Sequence, residues 1–229
     1  MIDLTKFEEA LEISFKDKDL LRLSLTHRSY INENPSTKGG HNERLEFLGD
    51  AVLELVITEY LYDKFPEKPE GELTSLRASL VNANILGKIA SEVGFNDFLL
   101  LSRGESKDVG RARQYILANA FEAVTGAIYL DRGYDVVKEF ILRILTTKIP
   151  EILDKKLYRD AKSLFQEEAQ DRVGVTPTYD VVKEWGPDHD KHFIVGVYLK
   201  KELIAEGEGP SKQEAQQSAA ENALRIKKW

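Results

Sequence analysis

The sequence predicts a mainly α protein, with an all-α domain followed by a small α+β module of element order α-β-β-β-α. Apolar residues recur at helical spacing from Leu4 to Leu145. The pattern then changes, because every second residue from Phe193 to Leu199 is phenylalanine, valine or leucine, which is strand periodicity. We expect an all-α domain over residues 1–149, a linker over 150–158 and the α+β module over 159–228.

Within the first domain, proline, glycine and polar residues separate the helical stretches. Helices are predicted over residues 4–12, 17–30, 43–64, 72–92, 113–130 and 134–148. In the module we expect a helix over 161–173, strands over 179–182, 193–199 and 203–205, and a final helix over 211–227. Alanines on that last helix form a stripe of small residues that can pack closely on a sheet.

Composition excludes several classes of function. The 229 residues include no cysteine, which rules out disulfide frameworks, thiolate zinc sites and cysteine nucleophiles. No Gly-x-x-x-x-Gly-Lys loop occurs, so no nucleotide cofactor is expected. Charged residues near the N-terminus and the short uncharged stretches predict a cytoplasmic protein with no membrane partner. The net charge of −7 implies that any polyanionic partner is bound by local clusters.

Three carboxylates share one face of the helix predicted over 43–64. At 100° per residue, Glu43, Glu46 and Asp50 fall within one sector of that helix, and Asn42 is the expected N-cap. One interpretation is an acidic, solvated face. The other is a functional cluster, because apolar residues such as Phe47 and Ala51 flank the sector and predict a helix buried on nearly every side.

Glu122 is the only charged residue between Tyr115 and Leu130. A lone carboxylate in an apolar helix requires a partner, either a metal ion or a buried cation such as Arg77. Asn119, one turn earlier, places an amide oxygen on the same face, and Gly126, one turn later, leaves room beside it. The metal interpretation is favoured because Glu46 and Asp50 can converge on the same point.

The candidate ligands are all oxygens, which favours Mg²⁺, with Mn²⁺ as a second choice. No histidine stands three residues from these glutamates, so the Glu-x-x-His pattern of di-iron bundles is missing. Mg²⁺ commonly binds substrate phosphates, and the pattern therefore indicates phosphoryl chemistry.

The segment from Asn42 to Asp50, Asn-Glu-Arg-Leu-Glu-Phe-Leu-Gly-Asp, resembles the signature of the bacterial ribonuclease III family. Thr26-His27-Arg28-Ser29-Tyr30 also resembles a family segment, in which His27 is interpreted as a hydrogen-bonded structural residue. The resemblance covers essentially the whole chain. It implies the following roles: magnesium binding by Glu46, Asp50 and Glu122, catalysis by Asp50 and Glu122, contact with RNA in the cleavage valley by Glu43 and Glu70, and insertion of Phe47 into the second subunit of a homodimer.

One departure from the family concerns the fourth ligand, which is usually an aspartate and is Asn119 here. An amide oxygen can still coordinate Mg²⁺, but the site loses one negative charge. We therefore expect weaker metal affinity. The alternative function is a non-cleaving dimer that binds double-stranded RNA and whose metal site is weakened by Asn119.

The C-terminal module resembles the double-stranded-RNA-binding domain, which reads duplex shape across about 16 base pairs. The resemblance implies RNA contacts at three places, the first helix, the loop between the first two strands and the start of the last helix. The corresponding residues are Ser163, Gln166, Glu167, His189, Ser211 and Lys212. The alternatives are plain helix surface, a turn residue and a helix cap. Gln213 stands where the family usually has a second basic residue, which predicts modest RNA affinity and a shallow salt dependence.

Together these resemblances imply a Mg²⁺-dependent endonuclease for double-stranded RNA. As a homodimer it would leave 5′-phosphates and short 3′ overhangs. The family's substrates are precursor ribosomal RNA and structured messengers.

Overall fold

The structure is a computed structural model that describes residues 3–37, 39–107, 110–154, 161–187 and 191–229. The chain divides into two compact units, Met1–Tyr158 and Arg159–Trp229. Each unit has its own hydrophobic core.

The first unit is all helical, as predicted. Its helices are α1 (Leu4–Leu11), α2 (Lys18–Ser24), α3 (Arg28–Glu33), α4 (Glu43–Lys64), α5 (Glu70–Leu80), α6 (Ala83–Val93), α7 (Arg111–Arg132), α8 (Tyr134–Leu145) and α9 (Ile149–Asp154). Within the described ranges, none of the helices is both long enough and apolar enough to cross a membrane.

Two predicted helices are each divided into two. The stretch predicted as one helix over 17–30 is interrupted because Thr26 forms a parallel bridge with Leu100, and the His27 N–H donates to the Leu100 oxygen at 3.0 Å. The stretch predicted over 72–92 is interrupted at Asn82, whose side chain accepts a hydrogen bond from the Ile85 N–H and caps α6.

Asn42 does not act as the side-chain cap that the sequence suggested. It has helical dihedral angles and makes no side-chain cap hydrogen bond. Instead it is buried, and its Nδ2 donates to the backbone oxygen of Ser24 at 3.2 Å. The residue therefore fixes the start of α4 to the end of α2.

The predicted linker is partly helical. Residues 149–154 form α9, and Ile152 in this helix is buried in the core of the first unit. Residues 155–158 lie outside the described part of the chain. The first residues of the predicted linker therefore form a helix whose apolar side chain Ile152 packs against the core.

The core of the first unit forms around α4 and α7. Buried aliphatic residues of α4 face α7, and a series of aromatic rings continues the core. Phe7 contacts Phe95 edge to face at 4.9 Å, and Phe121 of α7 stacks on Phe140 of α8 at 5.8 Å. This packing holds α4 and α7 as a rigid pair.

The second unit has the predicted order of elements. It consists of α10 (Ala161–Val173), β1 (Thr178–Trp185), β2 (His192–Leu199), β3 (Glu202–Gly209) and α11 (Lys212–Lys227). The strands form one antiparallel sheet of order β1-β2-β3. The alanine stripe of α11 is fully buried, and a β-carbon on Gly207 would lie 2.0 Å from the Ala219 nitrogen, so α11 lies directly on β3.

Candidate active site and RNA-binding surface

The candidate active site lies where α4 crosses α7. A β-carbon on Gly49 would lie 1.7 Å from the backbone oxygen of Glu122, and a β-carbon on Gly126 would lie 2.4 Å from the backbone oxygen of Leu45. Only glycine permits so close an approach of two backbones. Because Glu46 lies one turn before Gly49 and Asp50 directly follows it, the crossing brings their backbone next to that of Glu122. The space beside Gly126 is thus filled by α4 itself.

The three carboxyl groups influence one another electrostatically. Burial raises the pKa of Glu122 from its ordinary 4.5 to about 7, and the charges of Asp50 and Glu46 add to the effect. Burial also raises the pKa of Glu46, assisted by Glu43 and Asp50. The pKa of Asp50 is raised by partial burial and by Glu54. Side chains from two helices therefore place repelling negative charges around a shared space.

Among the described residues, no cation compensates these three carboxylates. Arg77, the alternative partner of Glu122, instead donates from Nη1 to the Thr58 hydroxyl at 2.9 Å. The groups that perturb the pKa of Glu122 all raise it, which is the opposite of what an ion pair does. The ion-pair interpretation of Glu122 is therefore not supported.

The donor set fits a hard divalent cation. Carboxylate oxygens and the amide oxygen of Asn119, half-buried one turn before Glu122 on α7, are ligands of the kind that Mg²⁺ prefers. In the described ranges, no three acidic, histidine or cysteine side chains are already grouped so as to hold a metal ion. The crossing thus provides the ligand types and the excess negative charge, without a finished coordination shell.

Glu43 differs from the other carboxylates of the cluster because a guanidinium and an imidazole ring lie beside it. Its Oε1 lies 3.4 Å from Nη1 of Arg28, and its Oε2 lies 3.7 Å from Nδ1 of His41. The helical pattern of α4 predicted neither neighbour. Arg28 lies inside the segment Thr26–Tyr30 that resembles a family segment, but the periodicity of α4 carries no information about which residues before the helix lie against it.

Within the single chain, Glu70 lines a groove that Glu46, Asp50 and Glu122 do not line. It is exposed in the first turn of α5, where its Oε1 accepts a hydrogen bond from the Thr74 hydroxyl at 3.1 Å. It lines a groove of about 490 Å³, and the other lining residues are Thr58, Leu61, Tyr62, Lys68, Leu73, Thr74 and Arg77.

The apolar residues on one side of the acidic sector of α4 are exposed, whereas Leu53 and Ile57 on its other side are buried, so the helix is not buried on nearly every side. Phe47 is 82% exposed, Tyr62 71% and Leu55 56%, and Ala51 is also exposed. Sequence periodicity could not distinguish burial in the chain's own core from an apolar face left uncovered in a single chain. The result is an exposed apolar stripe on α4, formed by Phe47, Ala51, Leu55 and Tyr62.

The second unit brings the starts of α10 and α11 together. Nζ of Lys162 donates to Oε1 of Gln216 at 2.7 Å, which links the first turn of α10 to the second turn of α11. Next to this contact, Ser163, Gln166 and Glu167 are exposed on α10. His189 lies outside the described residues.

The start of α11 presents backbone N–H groups and a cation. The Ser211 hydroxyl accepts a hydrogen bond from the Glu214 N–H at 3.2 Å and donates to the Glu214 carboxylate at 3.0 Å. Lys212 is exposed, and its Nζ lies 5.7 Å from the ring centre of Phe193. A helix N-terminus with a neighbouring lysine can bind a phosphate.

Comparison with protein families gives two matches. Residues 17–149 match a family described as "Ribonuclease-III-like", and residues 161–227 match the "Double-stranded RNA binding motif".

Individual relatives agree with these matches. A protein named Ribonuclease 3 from Nitratiruptor is 47% identical over 228 residues, covering 100% of this chain and 98% of the relative. Ribonuclease 3 from Borreliella burgdorferi is 45% identical, covering 97% of this chain and 90% of the relative. The solved nuclease domain of ribonuclease III from Campylobacter jejuni has a TM-score of 0.59 and 44% identity, covering 65% of this chain and 99% of that domain.

Proposed function

The chain belongs to the ribonuclease III family and is an endoribonuclease acting on double-stranded RNA, and from this premise we propose that it cleaves RNA duplexes in a Mg²⁺-dependent reaction. The products are 5′-phosphates with short 3′ overhangs. The observation that supports the proposal is the close crossing of α4 and α7 at Gly49, beside which burial and neighbouring carboxylates raise the pKa of Glu46, Asp50 and Glu122 with no compensating cation among the described residues.

Glu46, Asp50 and Glu122 would hold the cation, with the amide oxygen of Asn119 as a neutral fourth ligand. Bound Mg²⁺, or Mn²⁺ in its place, would supply positive charge that offsets the phosphate and makes water more acidic. No nucleotide cofactor is required.

The catalytic pair, Asp50 and Glu122, would position the attacking water and the proton that is transferred. The oxygen of water attacks phosphorus and gives up a proton, the bond from phosphorus to the 3′ oxygen breaks, and that oxygen takes up a proton, which leaves a 5′-phosphate and a 3′-hydroxyl. In the metal-free chain burial raises the pKa of the Glu122 carboxyl to about 7; a bound divalent cation would lower this pKa again, so Glu122 would bind the cation as a carboxylate.

RNA binding extends over both units. The exposed carboxylates Glu43 and Glu70 would line the cleavage valley. In the second unit the contacts are Ser163, Gln166 and Glu167 of α10, His189 before β2, and Ser211 and Lys212 at the start of α11. The joined starts of α10 and α11 support this assignment, because they put polar side chains and a helix N-terminus on one surface.

The exposed apolar stripe on α4 supports a homodimer. Phe47, Leu55 and Tyr62 are too exposed for a helix face that remains in water. The family resemblance implies that Phe47 inserts into the second subunit, and the groove beside Tyr62 has about 490 Å³ of space for an aromatic ring. The Campylobacter relative was itself described with a region involved in dimer formation.

The substrates we propose are precursor ribosomal RNA and structured messengers, processed in the cytoplasm. These RNAs contain long duplex segments, and the second unit matches a motif that binds double-stranded RNA.

The direct test is incubation of the purified chain with a long, end-labelled RNA duplex. We expect discrete products with 5′-phosphates in Mg²⁺, none in EDTA, and at least a hundredfold slower cleavage by Asp50→Asn. Binding without cleavage at any Mg²⁺ concentration would support the alternative of a non-cleaving RNA-binding dimer. Cleavage of equal rate in EDTA would exclude the metal-dependent mechanism.

A further inference from the structure

The segment from Thr26 to Tyr30 has a fixed position beside the active site, although no catalytic role has been given to it. The His27 N–H donates to the Leu100 oxygen at 3.0 Å. The ring Nδ1 of His27 lies 2.8 Å from the Ser29 hydroxyl, whose oxygen accepts a hydrogen bond from the Ser102 N–H at 3.1 Å. These bonds fix the first turn of α3, where Arg28 is the first helical residue.

The same segment is joined to the start of α4. The Asn42 N–H donates to the Thr26 oxygen at 2.9 Å, and its buried side chain donates to the Ser24 oxygen. Since Glu43 follows Asn42, the first residues of α3 and α4 are held next to each other. Arg28 therefore reaches Glu43 from a backbone that is already ordered.

The ion pair between Arg28 and Glu43 is exposed and can open. The closest approach, Nη1 to Oε1, is 3.4 Å, and the Arg28 side chain is 69% exposed. Exposed ion pairs contribute little to stability, so a competing anion can replace the carboxylate. Burial lowers the pKa of the neighbouring His27; Glu105 and Glu43 oppose this shift, and Arg28 and His41 add to it.

Among the described residues, Arg28 is the lysine or arginine within ion-pair distance of a member of the carboxylate cluster, and that member is Glu43. A phosphodiester that approaches these carboxylates is repelled unless cations offset their charge. Guanidinium groups bind phosphate and carboxylate with the same forked geometry, so a change of partner needs no rebuilding of the site.

On this geometry we propose that Arg28 binds a phosphate of the RNA strand at the entrance to the active site, exchanging Glu43 for the phosphate when RNA enters. The inference rests on the proposed function, because it assumes that RNA reaches the crossing of α4 and α7. The ion pair with Glu43 then keeps the Arg28 guanidinium beside the site when RNA is absent.

The experiment measures binding of the full chain to a long RNA duplex in EDTA over a range of KCl concentrations. Loss of one phosphate contact lowers the magnitude of the slope of log K against log[KCl] by about one, so a homodimer that loses one contact in each subunit loses about two. We expect this decrease in Arg28→Ala, with about tenfold weaker binding, and recovery of the parent slope in Arg28→Lys. Lys88→Ala, which removes an exposed cation of α6, is the charge-matched control and should keep the parent slope.

A second comparison separates phosphate binding from mere support of Glu43. Since Glu43 competes with phosphate, Glu43→Gln should tighten duplex binding about threefold, and only when Arg28 is present. In Mg²⁺, Arg28→Ala should raise KM about tenfold and change kcat by less than about threefold. Thermal unfolding confirms that each variant is folded.

The inference is overturned if Arg28→Ala keeps the parent slope, if Lys88→Ala lowers it equally, or if the main effect of Arg28→Ala is on kcat. A parent chain that fails to cleave in Mg²⁺ would refute the proposed function separately. The slopes in EDTA would still decide whether Arg28 binds phosphate.

Discussion

Replacement of Glu122 by glutamine is expected to stabilise the metal-free protein while it abolishes cleavage. Glutamine has nearly the shape of the protonated glutamate but cannot ionise, so it removes the charge that burial and the neighbouring carboxylates disfavour. If Glu122 served only to stabilise the fold, its replacement by glutamine would lower the stability of the metal-free protein. Stability and activity should therefore change in opposite directions.

The size of the effect follows from the pKa of Glu122. A rise from 4.5 to about 7 corresponds to about 3 kcal/mol if it is fully expressed, at about 1.4 kcal/mol per unit. Because Glu122 is only half-buried, solvent screens part of this energy, and we expect about 1–2 kcal/mol. Since the folded state binds the proton more tightly than the unfolded state, the parent loses this stability as pH rises from about 4.5 to about 7.

The assay is thermal unfolding in EDTA between pH 4.5 and pH 8. At pH 8 we expect Glu122→Gln to melt about 3–6 °C above the parent, and at pH 4.5 we expect the two to coincide. Added Mg²⁺ should raise the Tm of the parent but not of the variant. Glu139→Gln, at an exposed position of α8, should match the parent throughout. A variant less stable than the parent at pH 8, or a difference independent of pH, would refute the reasoning.

Three further predictions concern neighbouring features. Restoring the fourth carboxylate by Asn119→Asp should lower the Mg²⁺ concentration for half-maximal cleavage about tenfold; identical Mg²⁺ titrations would contradict this. Gly49→Ala should lower the free energy of unfolding by about 3 kcal/mol or more and remove most of the cleavage rate, because its β-carbon would overlap α7. Gly71→Ala, whose β-carbon meets nothing within 4 Å, should show no loss of stability in urea unfolding. Phe47→Ala should weaken the dimer at least about thirtyfold in sedimentation equilibrium, whereas Leu130→Ala, exposed near the end of α7, should not; equal effects would argue against the stripe on α4 as the interface.

Much of the site could be predicted from the sequence because its signals are local. Helical periodicity predicted α4, and the isolation of Glu122 in an apolar helix predicted that its carboxylate has an unusual partner. The convergence of Glu122 with Glu46 and Asp50 depends on Gly49 and Gly126 facing each other, and this contact has no signature within either helix. The paired glycines become informative only once the crossing is known.

The errors arise where tertiary contacts override local pattern. Thr26 interrupts the predicted helix because it forms a parallel β-bridge with Leu100, which is distant in the chain. Asn42 looks like a cap but is buried against Ser24. Helical periodicity alone predicted burial around Phe47, because a face that binds a second subunit has the same apolar pattern as a face buried in the core; only the family resemblance implied contact with another subunit.

The most direct test of the central claim is the anomalous scattering of Mn²⁺ in crystals of the full chain. The account predicts an anomalous peak within coordination distance, about 2–2.5 Å, of carboxylate oxygens from both α4 and α7, with Glu46, Asp50 and Glu122 as ligands. A peak elsewhere, or three carboxylates that remain without a cation at saturating Mn²⁺, would contradict it.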